Sequence, residues 1–330
     1  MKIYNMLNGL KNKVLKGENL SFQEAEQLYS LPEEYLTDIL SASSKIRTKY
    51  RHDAVSLCAI TNARSGMCPE DCAFCAQSGY HNTSISTYPL ISKDEMLNRA
   101  GDTFRQGTNR FCIVTSGRGI NNDELSVICE AIGEIKRLYP NLKIDASLGI
   151  LSEKDASKLK KCGLDRYNHN LESAESYFSK ICTTHTYADR LRTAKIIKKA
   201  GIELCCGGII GLGETDRQRI EFAFALKDLD IDSLPLNFLN PIANTQMMNF
   251  LPLRPLSILK TIALFRFILP TKEIRICGGR QVNLRNLQPL IFMAGADAII
   301  IGNYLTTPGS RPQDDIQMIQ DLGLRVISRG

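Results

Sequence analysis

Three cysteines stand close together in the segment Cys68-Pro-Glu-Asp-Cys72-Ala-Phe-Cys75, with three residues between the first two and two between the last two. Thiolates at this spacing can wrap one corner of a small metal cluster. Three thiolates hold three irons of a cube of four irons and four sulfides (4Fe-4S), and the fourth iron keeps a coordination position for a small molecule. The pattern therefore favours a catalytic iron–sulfur cluster.

A structural zinc site is the alternative interpretation of the triplet. Zinc usually takes four ligands in a closed tetrahedron, often from two Cys-x-x-Cys pairs. No second pair stands at a suitable distance in the sequence, and His81 is the only nearby imidazole. The cluster is therefore the better hypothesis.

The composition points to a cytoplasmic protein. The first twenty residues have neither a continuous apolar core nor a small-residue cleavage site, and no stretch approaches the roughly 20 apolar residues of a membrane span. In a reducing compartment the eleven cysteines do not form a disulfide framework, and their odd number also argues against complete pairing. Metal or cluster ligation accounts for them better.

The charge pattern bears on the partners of the chain. The net charge is +6, but the basic residues are scattered, without a long run or interleaved aromatics. Nucleic acid is therefore not an expected partner. A modest positive balance suits an anionic ligand or an acidic electron-donor protein.

The elements that must position the triplet follow a regular alternation after residue 50. Short apolar or β-branched runs alternate with amphipathic segments, which indicates a parallel (β/α)8 barrel, with a doubly wound open sheet as the alternative. Residues 1–50 read as an N-terminal helical extension, with a capping box at Ser21 and Glu24, and residues 51–330 as the barrel. The predicted strands are 56–61, 110–115, 143–148, 166–171, 202–210, 233–239, 273–277 and 298–301.

The triplet follows the first predicted strand, so it should lie at the carboxyl end of the barrel, where barrel enzymes place their chemistry. The strand at 166–171 carries polar residues at alternate positions, so Asn168, Asn170 and Glu172 share one face, with His169 on the other. Buried polar side chains need partners. A polar ligand in the barrel mouth would supply them, and a self-satisfied polar layer is the alternative.

The triplet, with aromatic Phe74 before its last cysteine, resembles the signature of the radical S-adenosylmethionine (SAM) superfamily. Five segments in order resemble the biotin synthase family within it, and this resemblance extends from about residue 55 to the carboxyl end. These segments are TNARSGMCPEDCAFCAQS around the triplet, YNHNLES at 167–173, CGGIIGLGE at 206–214, LPLNFLNPI at 234–242 and FMAGADAIIIGNYLTT at 292–307.

The resemblance implies an enzyme that inserts sulfur into dethiobiotin through a 5′-deoxyadenosyl radical. It also implies a homodimer and a flavodoxin or ferredoxin as electron donor. The catalytic 4Fe-4S cluster would be held by Cys68, Cys72 and Cys75. The implied contacts with SAM are Phe74, Asn170, Glu172, Arg190 and Ile209. The implied contacts with dethiobiotin are Asn168, Asn170 and Asn237, and His169 would neighbour the SAM pocket.

The family also holds an auxiliary iron–sulfur cluster, the sulfur donor, on three cysteines and an arginine. Cys112 and Cys205 match two of these cysteines and Arg275 matches the arginine, but Asp145 stands where the third cysteine is expected. Cys277, two residues beyond Arg275 and on the same strand face, replaces the usual serine. We expect Cys112, Cys205 and Cys277 to hold the cluster, with Arg275 and Asp145 as further candidate ligands.

The nuclearity of the auxiliary cluster stays open between a two-iron (2Fe-2S) cluster with a carboxylate ligand and a larger four-iron type with an extra sulfide. The alternative is inert burial, since free cysteine packs well in cores. Cys206 should face away from Cys205, because consecutive strand residues point to opposite faces. The cysteines interpreted as ordinary thiols are Cys58, Cys129, Cys162 and Cys182.

Two rival functions remain. A hydrogenase-maturation or methylornithine-forming radical SAM enzyme would keep the triplet and the barrel without sulfur transfer, and the departure at Asp145 gives this rival weight. A non-catalytic iron–sulfur electron-transfer protein is the second rival. It would have no reason to direct Asn168, Asn170, Glu172 and Asn237 toward one cavity.

Overall fold

The computed structural model describes residues 2–327, and its centre is a closed barrel of parallel strands. Each strand pairs in parallel with its neighbours, and β1 closes the ring by pairing with β9. The strands are β1 Ala54–Arg64, β2 Arg110–Thr115, β3 Lys143–Ser147, β4 Arg166–Asn168, β5 Glu203–Cys205, β6 Gly208–Ile210, β7 Ser233–Phe238, β8 Glu273–Ile276, β9 Ala298–Ile300 and β10 Arg325–Val326. Closure confirms the predicted (β/α)8 barrel and excludes the doubly wound sheet.

Helices surround the barrel and cover its outer face. The helices are α1 Lys2–Leu15, α2 Phe22–Tyr29, α3 Leu36–Arg51, α4 Lys93–Arg105, α5 Asn122–Leu138, α6 Glu153–Lys161, α7 Glu175–Phe178, α8 Tyr187–Lys199, α9 Asp216–Asp228, α10 Pro255–Ile268, α11 Arg280–Leu284, α12 Leu290–Met293 and α13 Pro312–Asp321. Within residues 2–327, none of them is long and apolar enough to cross a membrane.

One predicted strand, 202–210, is divided in the structure. β5 and β6 both pair with β7, and Cys206 and Gly207 separate them. A Cβ atom on Gly207 would lie 2.1 Å from the carbonyl oxygen of Pro235, and one on Gly208 would lie 2.2 Å from that of Glu172. Only glycine permits such close backbone approach. The two glycines therefore let the chain pass tightly between the strands on either side.

The N-terminal helices pack against the barrel helices. The capping box predicted at Ser21 and Glu24 is present at the start of α2. The hydroxyl oxygens of Tyr29 on α2 and Thr261 on α10 are 2.7 Å apart, and the Ser43 hydroxyl on α3 donates to the Ala294 carbonyl at 2.7 Å. The division of the chain at residue 50 stays a prediction. The short strand β10 was not predicted; it pairs with the start of β1.

The inside of the barrel has a charged floor at the starts of the strands. Arg110 donates to Asp145 at 2.7 Å, and Arg166 and Arg275 both donate to one oxygen of Glu273 at 2.7 Å. All five side chains are buried. A buried charge is tolerated only when it is paired and hydrogen-bonded, so this network fixes which strands lie next to one another.

We expect Asp145→Asn to destabilise the protein by about 3–5 kcal/mol, because it removes the carboxylate closest to the buried Arg110 cation and leaves only Glu203, at 3.4 Å. Urea denaturation followed by circular dichroism measures the free energy of unfolding. Asp102→Asn is the matched control, since Asp102 pairs with Arg105 on the exposed surface of α4 and should cost less than about 1 kcal/mol. Equal effects of the two changes would contradict a structural role for the floor.

Candidate functional site

The loop after β1 brings the three cysteines of the triplet together. Backbone bonds close this loop, with the Cys68 amide donating to the Gln77 carbonyl at 3.0 Å and the Gly79 amide to the Cys68 carbonyl at 2.7 Å. Cys68, Cys72 and Cys75 all line one cavity of about 230 Å³ at the carboxyl end of the barrel. Burial raises the pKa of Cys68, and that of Cys75 to about 11. Bare thiols in this loop stay protonated, whereas a bound metal would favour the thiolate.

The opposite wall of this cavity carries the polar residues predicted from the strand at 166–171. Asn168, Asn170 and Glu172 line it together with Arg190 from α8. Arg190 donates to the Asn170 carbonyl at 3.0 Å, and its Nη1 lies 3.7 Å from Glu172 Oε1. Asn168, Asn170 and Glu172 therefore face one cavity together with the triplet, and their roles as ligand contacts stay predictions.

Burial shifts the pKa values of two groups in this wall in opposite directions. Burial raises the pKa of Glu172, an effect that the nearby Arg190 cation partly offsets. Burial lowers the pKa of His169 well below its usual range, so the imidazole is neutral. His169 lines the cavity, and its Nε2 has no hydrogen-bond partner within residues 2–327. Strand alternation placed His169 on the other face, but β4 ends at Asn168 and the alternation ends with it.

A second cavity of about 180 Å³ lies beside the first. Phe74 and Cys75 line both cavities and so form part of the wall between them. Ile209 and Asn237, which pair in register between β6 and β7, line the second cavity only. Asn237 donates to the Gly208 carbonyl at 3.3 Å and accepts from the Gly278 amide at 2.9 Å. The predicted SAM contact Ile209 and substrate contact Asn237 therefore lie across a wall from Glu172 and Arg190.

Below the first cavity, buried thiols gather inside the barrel. Cys112, Cys205 and Cys277 are each at most 2% exposed, and none belongs to the continuous apolar core around the barrel. Asn168 donates to the Cys112 sulfur at 3.1 Å. Asn168 also lines the first cavity, which we call the upper cavity from here on. It therefore connects the upper cavity with the buried thiols below it. Cys206 packs in the apolar core instead, as predicted for the opposite strand face.

Cys58, interpreted from sequence as an ordinary thiol, is a fourth member of this group. It pairs in register with Arg110, whose guanidinium points into the barrel, so the Cys58 side chain faces the interior as well. Burial raises the pKa of Cys58 to about 12, and Arg275, Asp145 and Cys205 all act on it electrostatically. Strand alternation along β1 was the signal that could have identified it.

The two candidate ligands that are not thiols behave differently. Both oxygens of Asp145 accept hydrogen bonds from Arg110 at 2.7–3.1 Å, so this carboxylate already has a partner. Arg275 donates to Glu273 through Nη2, while its buried Nε has no hydrogen-bond partner within residues 2–327. All four thiols lie close enough to the Arg275 guanidinium to be affected by its charge. Four neighbouring cysteines suit the donor set of an iron–sulfur cluster.

Cys182, which the sequence analysis interpreted as an ordinary thiol, lies behind the triplet. The sulfurs of Cys72 and Cys182 are 3.9 Å apart, and Nδ1 of His185 is 3.2 Å from the Cys182 sulfur. The contact with Cys72, followed by the hydrogen bond with His185, lowers the pKa of Cys182 to about 4 against the effect of burial. Nothing in the local sequence pattern relates positions 72 and 182.

Comparisons with known proteins agree with this geometry. Residues 64–226 match the radical SAM superfamily, and residues 235–325 match the Biotin and Thiamin Synthesis associated domain. The chain is 47% identical over 326 residues to the biotin synthase of Carboxydothermus hydrogenoformans, covering 98% of this chain and 100% of the relative. It is 46% identical to that of Pelotomaculum thermopropionicum, with the same coverage. The chain belongs to the biotin synthase family.

Two solved structures with the same fold are less similar to this chain in sequence than these biotin synthases are. Methylornithine synthase (PylB) superimposes with a TM-score of 0.84 at 18% identity, covering 97% of this chain and 98% of that one. The FeFe-hydrogenase maturase HydG from Carboxydothermus hydrogenoformans gives 0.82 at 19% identity, covering 97% and 79%. At such low identity the likeness shows the shared barrel fold alone.

Proposed function

We propose that this chain forms biotin from dethiobiotin, with SAM bound at the triplet and sulfur donated by an auxiliary cluster inside the barrel. The observation that carries the proposal is the presence of two sets of cysteines at two levels of one barrel. The cysteines of the triplet line the upper cavity, and the other set is buried inside the barrel beneath it. Asn168 contacts both levels. A substrate held beside Asn168 would lie between the radical source at the triplet and the sulfur source inside the barrel. Sulfur insertion needs this arrangement.

The residues of the upper cavity would bind and orient the cofactor. A 4Fe-4S cluster with SAM supplies a 5′-deoxyadenosyl radical when both are bound. Arg190 offers a guanidinium to the SAM carboxylate, and Glu172 offers a carboxylate to the ribose hydroxyls. Phe74 would supply apolar surface from the wall between the cavities, and Asn168 and Asn170 would offer amide donors and acceptors to the ureido ring of dethiobiotin. From the second cavity, Ile209 would add apolar surface and Asn237 a further amide. The buried walls would exclude water from the radical.

For the auxiliary cluster we propose four thiol ligands, Cys58, Cys112, Cys205 and Cys277. Asp145 is held by Arg110, so its carboxylate would serve the barrel floor rather than a metal. This argues against a two-iron cluster with a carboxylate ligand, and we propose the four-iron type. Arg275, whose buried Nε has no hydrogen-bond partner within residues 2–327, would be a further candidate ligand.

The remaining parts of the proposal rest on the family. The protein would be a cytoplasmic homodimer that accepts electrons from a flavodoxin or ferredoxin. Its net charge of +6 is complementary to an acidic electron donor. An analytical ultracentrifugation measurement tests the proposed dimer separately.

An anaerobic assay with dethiobiotin, SAM and a chemical reductant tests the reaction. Formation of biotin together with 5′-deoxyadenosine is the expected result. SAM cleavage without biotin would favour an enzyme of the methylornithine-forming or hydrogenase-maturation type. Absence of any SAM cleavage by protein with its full iron content would favour an electron carrier.

We expect Arg190→Ala to weaken SAM binding by about 10- to 100-fold, the cost of a lost charge-assisted hydrogen bond. Arg192→Ala is the matched control, because Arg192 lies on the same helix with an exposed side chain that pairs with Asp189. Isothermal titration calorimetry on reconstituted protein gives both affinities. An unchanged affinity in Arg190→Ala would remove Arg190 from the cofactor site.

A further inference from the structure

The thiol of Cys72 has a second thiol, Cys182, directly behind it. Their sulfurs are 3.9 Å apart. The Ala73 amide donates to the Ile181 carbonyl at 2.9 Å, so the two cysteines flank hydrogen-bonded peptide groups. A disulfide needs its sulfurs at about 2.05 Å and its Cβ atoms at about 3.5–4.5 Å. Side-chain rotation between two adjoining backbone segments can supply the remaining approach of the sulfurs.

The two thiols differ in their access to small molecules. Cys72 lines the upper cavity, whereas Cys182 is 5% exposed and does not line it. The Cys182 sulfur is held by contacts to the Asp71 carboxylate at 3.2 Å, the Thr184 hydroxyl at 3.5 Å and the His185 ring at 3.2 Å. A small oxidant in the cavity would therefore meet Cys72 first, with Cys182 fixed in position behind it.

We propose that Cys72 and Cys182 close into a disulfide when the cluster has been lost and a peroxide is present. The disulfide removes Cys72 from the set of cluster ligands, so that iron cannot be rebound at the triplet until a dithiol reduces it. This inference rests on the proposed function only in taking Cys72 as a cluster ligand. Cys182 would have no part in the reaction with dethiobiotin.

The chemistry needs one peroxide for each disulfide. The Cys72 thiol passes its proton to the adjoining Cys182 thiolate, and the Cys72 sulfur attacks one peroxide oxygen. The O–O bond breaks, and the departing hydroxide takes that proton as the first water, which leaves a sulfenic acid on Cys72 and a thiolate on Cys182. The Cys182 thiolate then attacks the sulfenic sulfur, the S–O bond breaks as the S–S bond forms, and the departing hydroxide takes a proton from solvent as the second water. The two sulfurs together lose two electrons, and the peroxide gains both.

The disulfide would protect the cluster site from irreversible damage. A sulfenic acid without a neighbouring thiol is open to further oxidation to sulfinic and sulfonic acids, and a dithiol does not reverse those steps. With Cys182 at 3.9 Å, the sulfenic acid on Cys72 has a partner within its own fold. The site would then recover by reduction rather than by new synthesis of the protein.

The test uses the full chain after iron has been removed with a chelator under reducing conditions. The protein is treated with hydrogen peroxide and digested, and the peptides are mapped by mass spectrometry. We expect a cross-linked pair of peptides that contain Cys72 and Cys182. Iron uptake at the triplet should fall at least about tenfold after peroxide, and dithiothreitol should restore it.

Two variants complete the experiment. In Cys182→Ala, peroxide should convert Cys72 to sulfinic or sulfonic acid, and dithiothreitol should then fail to restore iron uptake. Cys162→Ala, which removes a half-buried thiol at the end of α6, should behave as the unaltered chain does. Absence of the Cys72–Cys182 cross-link, or equal recovery of iron in Cys182→Ala, would overturn the inference. Either result leaves the proposed reaction standing, because peptide mapping does not depend on biotin formation.

Discussion

Cys72→Ala is expected to abolish SAM cleavage. Two thiolates cannot hold the cube that leaves one iron open for the cofactor, so both the bound iron and the radical source should be lost. The rate of 5′-deoxyadenosine formation should fall by at least about two orders of magnitude, to the level without protein. An iron count on the same sample should be lower by about four per chain.

The control for this change is Cys129→Ala, which removes a half-buried thiol on α5, outside both cavities. It should keep its iron and its rate of SAM cleavage. Persistent 5′-deoxyadenosine formation by Cys72→Ala at the rate of the control would refute the role of the triplet. It would also remove the basis for placing the cofactor in the upper cavity.

Cys277→Ala should impair the auxiliary cluster and leave the cluster of the triplet intact. The triplet is untouched, so SAM should bind and be cleaved. The auxiliary cluster loses one of its four proposed cysteine ligands, so the protein should bind less auxiliary iron. Biotin formation should fall by at least about tenfold while SAM affinity stays within about twofold. Mössbauer spectra and iron counts measure the loss of auxiliary iron, and a biotin assay measures the loss of biotin formation.

Two further variants test which cysteines hold the auxiliary cluster. Cys58→Ala should behave like Cys277→Ala, because both thiols face the interior of the barrel. Cys206→Ala is the matched control, since Cys206 is equally buried and adjoins Cys205 but packs in the apolar core. It should retain the auxiliary iron. Unchanged iron content in both Cys58→Ala and Cys277→Ala would show that the four-thiol assignment is wrong.

Much of the fold followed from local pattern. The segment predicted at 110–115 is β2 Arg110–Thr115, and that at 298–301 contains β9 Ala298–Ile300. A buried parallel strand appears as a short apolar run, and a helix on the outside of the barrel shows its own period, so the alternation is visible in sequence. The loop of the triplet and the polar face on and after β4 could be placed for the same reason.

Other features depend on contacts between distant segments, which a local pattern does not contain. Cys182 lies beside Cys72 only because the chain before α8 returns to the first loop. The pairing of Asp145 with Arg110 requires β2 and β3 to stand in one register. The break between β5 and β6 follows from the close approach of Pro235 and Glu172 to two glycines. None of these three could be found by counting positions along the sequence.

Transfer of isotopically labelled sulfur tests the central claim most directly. The protein is reconstituted anaerobically with iron and ³⁴S-sulfide, freed of unbound sulfide and supplied with dethiobiotin, SAM and reductant. We predict ³⁴S in the biotin of the first turnover, and loss of that label in Cys277→Ala, which still cleaves SAM. Biotin that carries only unlabelled sulfur, or label transfer that survives without the barrel thiols, would contradict it.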